Sequence, residues 1–211
     1  ALVTLLVSTL SFALAPPLGL ALAGLRLYTG RAGKAFAAAY VELFRGTPLL
    51  LQLYVLYFGL ADIVRLNPMT AAVLGLALNY AAYEAEVYRG ALQSIPAAQT
   101  EAARALGLNR WQALRHVVFP QALRTALPAV TNDFVALLKD SSLISVITVV
   151  ELTKRMTILA VDLRDWVTPG LLCAAFYFAM SFPLARLARR IERKLEPSSS
   201  ATSPIAPGAH A

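Results

Sequence analysis

Long, largely apolar runs alternate with polar segments along this chain, at about 1–25, about 36–61, about 66–88, about 121–150 and about 166–186. Roughly 20 apolar residues wound as a helix cover the ~30 Å of hydrocarbon in a bilayer. A helix also satisfies its own backbone groups where no water can do so. The pattern therefore predicts an all-α integral membrane protein with about five spans. Two runs are irregular. Gly46-Thr47-Pro48 is expected to bend the second. The fourth carries Asp133, Lys139 and Asp140 inside otherwise membrane-grade sequence.

Between the third and fourth runs lies a polar, arginine-studded segment that reads as a helix-turn-helix. Pro96 suits the first turn of a helix and Gly107 is a natural stop. Asn109 with Gln112 forms a capping-box start for a second short helix that carries Trp111 and Leu114. Pro120 is expected to reset the backbone before the next apolar run.

Composition agrees with a membrane protein: 58% of the 211 residues are hydrophobic, 15% are charged and the mean hydropathy is +0.61. The single cysteine, Cys173, lies in an apolar run, so neither an internal disulfide nor thiolate chemistry is indicated. The net charge of +7 comes from residues beside membrane segments. That placement points to membrane lipid and orientation and excludes nucleic acid as a partner.

If 26–34, 89–124 and 186–194 share one side, that side holds 13 of the 19 Lys and Arg residues. The positive-inside rule makes it cytoplasmic, with the N-terminus outside and the C-terminus inside. Phe12-Ala13-Leu14-Ala15 imitates a signal-peptidase site, yet no basic segment precedes it and Pro16 follows. The first run is read as a true span, with the initiator methionine expected upstream of Ala1. Residues 196–211, rich in Ser, Ala and Pro, are expected to form a disordered tail behind one membrane domain at 1–195.

Catalytic chemistry is poorly represented. His116 and His210 stand apart, with no His-Glu-x-x-His pair, nucleophile elbow or metal-ligand cluster. Gly30-Arg31-Ala32-Gly33-Lys34-Ala35 is too short for a phosphate-binding loop and lacks the following Ser or Thr. No cofactor is expected in this chain, and any ATP hydrolysis belongs to another. Internal repeats are not apparent, and five spans are few for a secondary transporter built from inverted halves.

Glu101-Ala102-Ala103-Arg104-Ala105-Leu106-Gly107, with Val117-Val118-Phe119-Pro120 after it, resembles the EAA loop of the membrane subunits of binding-protein-dependent ATP-binding cassette (ABC) importers. Val117 and Phe119 stand where the family has Ile and Leu. The segments 41–50, 85–96 and 137–143 are similar to the polar amino-acid uptake branch, in the same order. Ala98, before Gln99, departs from the usual Gly.

The resemblance implies a type I importer permease of the bacterial cytoplasmic (inner) membrane, carrying a polar L-amino acid. It also implies an ABC ATPase dimer holding ATP and Mg, an identical or homologous permease subunit, and an extracytoplasmic binding protein. The loop at about 96–120 becomes the ATPase-docking site through Glu101, Ala102, Ala103, Arg104 and Gly107. Read without the family, Glu101 is a solvated helix-start carboxylate favoured by about 0.3–1 kcal/mol. Arg104 can simply pair with it at i+3.

Within the spans, Glu86 and Arg89 are three apart and read as an interfacial salt bridge. Glu84 either lines a pathway or pairs with an arginine such as Arg45. Lys139 and Asp140 point about 100° apart, so their partners are another helix, water or a zwitterionic substrate. The candidate pathway comprises Lys139, Asp140, Ser141, Ser142, Thr47, Glu84 and Glu151. The rival reading is a small membrane enzyme or assembly factor whose loop docks a regulator.

Overall fold

The computed structural model describes residues 1–195; the tail expected to be disordered lies outside the described residues. Among these, nine α-helices and no strand form. They are α1 (Leu2–Tyr28), α2 (Arg31–Gly46), α3 (Leu49–Tyr54), α4 (Pro68–Ser94), α5 (Ala97–Ala105), α6 (Arg110–Ala113), α7 (Phe119–Asp140), α8 (Leu152–Leu163) and α9 (Val167–Leu195). By length and apolar composition α1 and α9 can each cross a membrane alone. Helix α4, with Asn79 and Glu84 buried within it, is instead sheathed by α1, α2, α3 and α7.

The most extensive packing joins α1 to α4. Ala15, Gly19 and Ala23, four residues apart, are all buried on one stripe of α1. Small side chains at that spacing let two backbones approach, and close packing drives helix association where no hydrophobic effect operates. A Cβ at Gly19 would lie 2.5 Å from Glu84 Cβ and 3.0 Å from the Ala81 carbonyl oxygen, so only glycine fits there. At one end of the pair, Arg26 of α1 and Arg89 of α4 both donate to Glu86, the Arg89 Nη2 contact being 2.6 Å. The Glu86–Arg89 bridge read from the sequence is therefore present, and it also fastens α1.

The second apolar run does not form one helix. Thr47 and Pro48 take extended conformations between α2 and α3, and a π-helical turn at Val55–Gly59 follows α3. The fourth run breaks as well, contrary to a span continuing to 150. After α7 comes a 3-10 stretch, Ser141–Ile147, and then Thr148 at φ +70°. Ser141 Oγ donates to the Leu138 carbonyl at 2.7 Å, offering the backbone an alternative to the regular ladder where the polar run begins.

The connection expected at 151–165 is mostly helix α8. Twelve residues reach only about 18 Å, short of a span. Asp165 then starts α9, its Oδ1 accepting from the Val167 amide at 2.8 Å. Hydrogen bonds from Thr168 and the Val167 amide hold this exposed carboxyl below its ordinary range.

Candidate functional site

The break at Thr47–Pro48 frees backbone carbonyls within the membrane-spanning part of the bundle, where they need partners. Side chains supply them. Gln52 Nε2 donates to the carbonyls of Phe44 (2.8 Å) and Thr47 (3.0 Å) and to Thr47 Oγ1 (2.8 Å). Asn79 Nδ2 donates to Gln52 Oε1 (2.9 Å) and to the Phe44 carbonyl (3.2 Å), and Thr47 Oγ1 donates to the Leu43 carbonyl at 2.7 Å. These bonds hold the broken run against α4.

The opened backbone walls a polar cavity of about 500 Å³ between the break, α4 and α7. Arg45, Thr47, Asn79, Tyr80, Asp133 and Asp140 are among its lining residues. Tyr80 donates its hydroxyl to Asp140 Oδ2 at 2.8 Å. The Arg45 guanidinium lies 5.3 Å from the centroid of the Tyr83 ring, a cation–π placement that holds the charge at the cavity wall. Both signs of charge thus face one space beside irregular backbone.

Of the predicted pathway residues, Asp140 and Thr47 line this cavity. Lys139, next in sequence to Asp140, is exposed on another face of α7. Ser141 is buried in its bond to Leu138, and Ser142 is half-buried outside the lining. Glu151 is engaged elsewhere as the N-cap of α8. Its carboxylate accepts from the Thr153 and Lys154 amides, both at 2.7 Å, and from the Tyr177 hydroxyl at 3.0 Å.

Glu84 neither lines the cavity nor meets Arg45. It is fully buried beneath Gly19, and neither of its oxygens has a hydrogen-bond partner among the described residues. Gln52, Asn79, Tyr80 and Tyr83 were missed by sequence reasoning. The available signal was the presence of two amides inside apolar runs, because polar groups in a span are costly and mark function.

The polar helix-turn-helix forms at the end of the bundle that carries the Arg26–Glu86–Arg89 cluster. Helix α5 starts with Pro96 at its N-cap, one position before the first turn. It ends in a Schellman motif: Gly107 N–H donates to the Arg104 carbonyl (3.0 Å) and Leu108 N–H to the Ala103 carbonyl (3.2 Å). Gly107 has φ +87°, a left-handed conformation suited to glycine. The Asn109–Gln112 capping box is complete, with both bonds at 2.9 Å.

Ala103 is the buried residue of α5, while Glu101, Ala102, Arg104 and Leu106 are exposed. Arg104 forms no salt bridge with Glu101 among the described residues. Pro120 does not reset the backbone. A π-helical turn at Leu114–Val118 runs directly into α7 and absorbs the missing N–H of a proline in its first turn.

Residues 15–197, which hold both the broken spans and the polar helical hairpin, match the family described as binding-protein-dependent transport system inner membrane component. The chain belongs to this family. It is 37% identical over 200 residues to the glutamine transport system permease protein GlnP of Escherichia coli (strain K12), covering 92% of this chain and 90% of that one. To the probable amino-acid ABC transporter permease protein YckA of Bacillus subtilis (strain 168) it is 40% identical over 159 residues, 75% and 70% of the two chains.

A solved amino acid ABC transporter with histidines superposes with a TM-score of 0.86 at 35% identity, over 92% of this chain and 91% of that one. The MetNI methionine ABC transporter, at 21% identity, shares the fold with a TM-score of 0.73. The protein is thus an all-α inner-membrane permease component of the type I importer fold, and family membership disfavours the membrane-enzyme reading. ATP hydrolysis in such systems belongs to partner chains.

Proposed function

We propose that this permease moves a polar L-amino acid across the bacterial inner membrane through the polar cavity beside Thr47 and Asp140. Residues 1–195 act as one permease domain, paired with an identical or homologous copy. A binding protein outside delivers the substrate, and two cytoplasmic ATPase subunits, which hold ATP and Mg, drive its passage. The observation that carries the reading is the coexistence of Arg45, Asp133 and Asp140 around one cavity. An amino-acid zwitterion stripped of water needs a partner of each sign, and unpaired charges in a low-dielectric bundle are costly. The names of the relatives, which include glutamine and amino-acid permeases, support the same substrate class.

The loop at about 96–120 docks the ATPase. Glu101, Ala102 and Arg104 present a short helix face, Ala103 anchors it to the bundle, and Gly107 sets the angle at which it projects. ATP binding closes the ATPase dimer and draws two such helices together, shifting a bistable bundle between outward- and inward-open populations. This assignment puts the loop and the C-terminus in the cytoplasm and the N-terminus outside, in accord with the basic-residue count. The passage runs through the cavity, so Lys139, Ser141, Ser142, Glu84 and Glu151 have peripheral or structural places.

Reconstitution with the ATPase and the binding protein tests the reading. Glu101→Arg and Gly107→Pro lie outside the apolar spans and are expected to insert and fold normally yet uncouple uptake from ATP hydrolysis. Wild-type uptake in both variants at equal protein level would refute the docking role. Thermal-shift screening of the complex and its binding protein against the twenty amino acids identifies the substrate, and the absence of a response to any of them would refute the substrate class.

A further inference from the structure

We propose that the groove between the end of α1 and the α6–α7 junction is a binding site for one anionic phospholipid. Two open spaces meet there, of about 370 and 660 Å³, sharing Tyr28, Leu92, Trp111 and Leu114 as walls. The first runs along α1 past Leu20 and Gly24 and is almost wholly apolar. A Cβ at Gly24 would meet nothing within 4 Å among the described residues, so the α1 backbone itself forms an open flank. The second opens toward the polar loop, where Arg110 lines it beside Arg104 of the ATPase-docking helix, and Arg115 lines the first.

No acidic side chain lines either space, and none of the three arginines forms a salt bridge among the described residues. A slot with an apolar half toward the bundle and an arginine-rich half at its end fits an acyl chain below a phosphate. Arginine recognises phosphate oxygens with paired donors, and basic pockets between helix ends hold anionic headgroups. Trp111, 66% exposed, and Tyr28, 58% exposed, have the amphipathic rings that settle at headgroup level. This site stands on the groove alone and does not depend on which solute is transported.

The test uses the complete transporter with its ATPase subunits, delipidated and then titrated with phosphatidylglycerol or phosphatidylcholine, with bound lipid counted by native mass spectrometry. Phosphatidylglycerol is expected to be retained and phosphatidylcholine lost. Arg110→Gln combined with Arg115→Gln should weaken phosphatidylglycerol binding about tenfold or more, since each juxtamembrane arginine contributes attraction to an anionic surface. A phosphatidylglycerol carrying a photoreactive group in its acyl chain should cross-link to α1 around Leu20 and Gly24.

Equal retention of the two lipids, undiminished phosphatidylglycerol binding by the double variant, or inorganic phosphate displacing the lipid at low millimolar concentration would overturn the proposal. So would loss of ATPase subunits from the double variant, or cross-linking of a Gly24→Cys thiol to a second permease, since either would make the groove a protein interface.

Discussion

Tyr80 and Asp140 are joined across 2.8 Å, so the middle of α4 is tied to the last residue of α7 at the wall of the polar cavity. The bond has two separable consequences, one for the bundle and one for the ligand. Tyr80→Phe leaves a half-buried carboxylate without its donor and is expected to destabilise the protein by about 1–3 kcal/mol. Asp140→Asn keeps an oxygen that accepts the tyrosine proton, so its melting temperature should stay close to that of the wild type. The charge is nevertheless gone, and the substrate concentration for half-maximal uptake should rise. Equal melting temperatures for the two variants, with unchanged substrate dependence in both, would remove this pair from the site.

Gly19 sets the distance between α1 and α4. An added methyl would meet Glu84 Cβ at 2.5 Å and backbone atoms at 3.0 Å, so Gly19→Ala has to part the helices. Overpacking of this kind costs about 1–3 kcal/mol. At Gly24, five residues along the same helix, an added Cβ would meet nothing outside its own helix backbone within 4 Å among the described residues. Gly24→Ala is therefore the control: it should fold with normal yield while Gly19→Ala loses folded protein in detergent thermal scans.

Asn79 holds the broken second run in place. Asn79→Leu leaves the Phe44 carbonyl with its Gln52 donor, but Gln52 Oε1 loses the only partner it has among the described residues. The orphaned, half-buried acceptor is expected to cost about 1 kcal/mol. The extended backbone at Thr47–Pro48 should also loosen. Faster proteolysis or hydrogen exchange at 43–52 relative to α9 would report it, and unchanged protection there would show that the amide network is dispensable.

Hydropathy made the five apolar runs visible, and the stop at Gly107 and the Asn109–Gln112 cap were legible because turn and cap chemistry is local, whereas the passage through Pro120 was not. Helix α8 was not legible. Its Lys154, Arg155 and Asp162 break apolar continuity, and a short amphipathic helix then looks like a polar connection. The cavity was half legible. Adjacent Lys139 and Asp140 had to point different ways, but which one faces inward depends on Tyr80 and the break in the second run. Gln52 and Asn79 stayed hidden because a single neutral amide barely lowers the hydropathy of a span. Glu151 and Glu84 both entered the candidate pathway, yet one caps a helix end and the other lies under a glycine crossing.

Orientation is checked by thiol labelling. Cys173 is buried, so Cys173→Ala gives a background for single cysteines at Ala98, in α5, and Ala61, in the turn after the π-helical segment. An impermeant maleimide added to intact spheroplasts should modify position 61 and spare position 98. Modification of position 98 from outside would reverse the positive-inside assignment and remove the ATPase from the loop.

Asp133 decides a finer property of the cavity, where two carboxylates face one guanidinium, that of Arg45. On the proposed passage, the α-carboxylate of a substrate would take Arg45 and its ammonium one aspartate, which would leave the other for a cationic side chain. Two unit charges 4 Å apart attract by about 4 kcal/mol at an effective dielectric of ~20, before desolvation offsets much of it. A net remainder near 1.4 kcal/mol is tenfold in affinity. Binding of arginine and of glutamine to the purified complex, measured calorimetrically without the binding protein, keeps that protein's own selectivity out of the comparison. Asp133→Asn should weaken arginine about tenfold and glutamine by less than about threefold. An equal loss for both would make Asp133 the partner of the α-ammonium group, and no loss for either would place the passage outside this cavity.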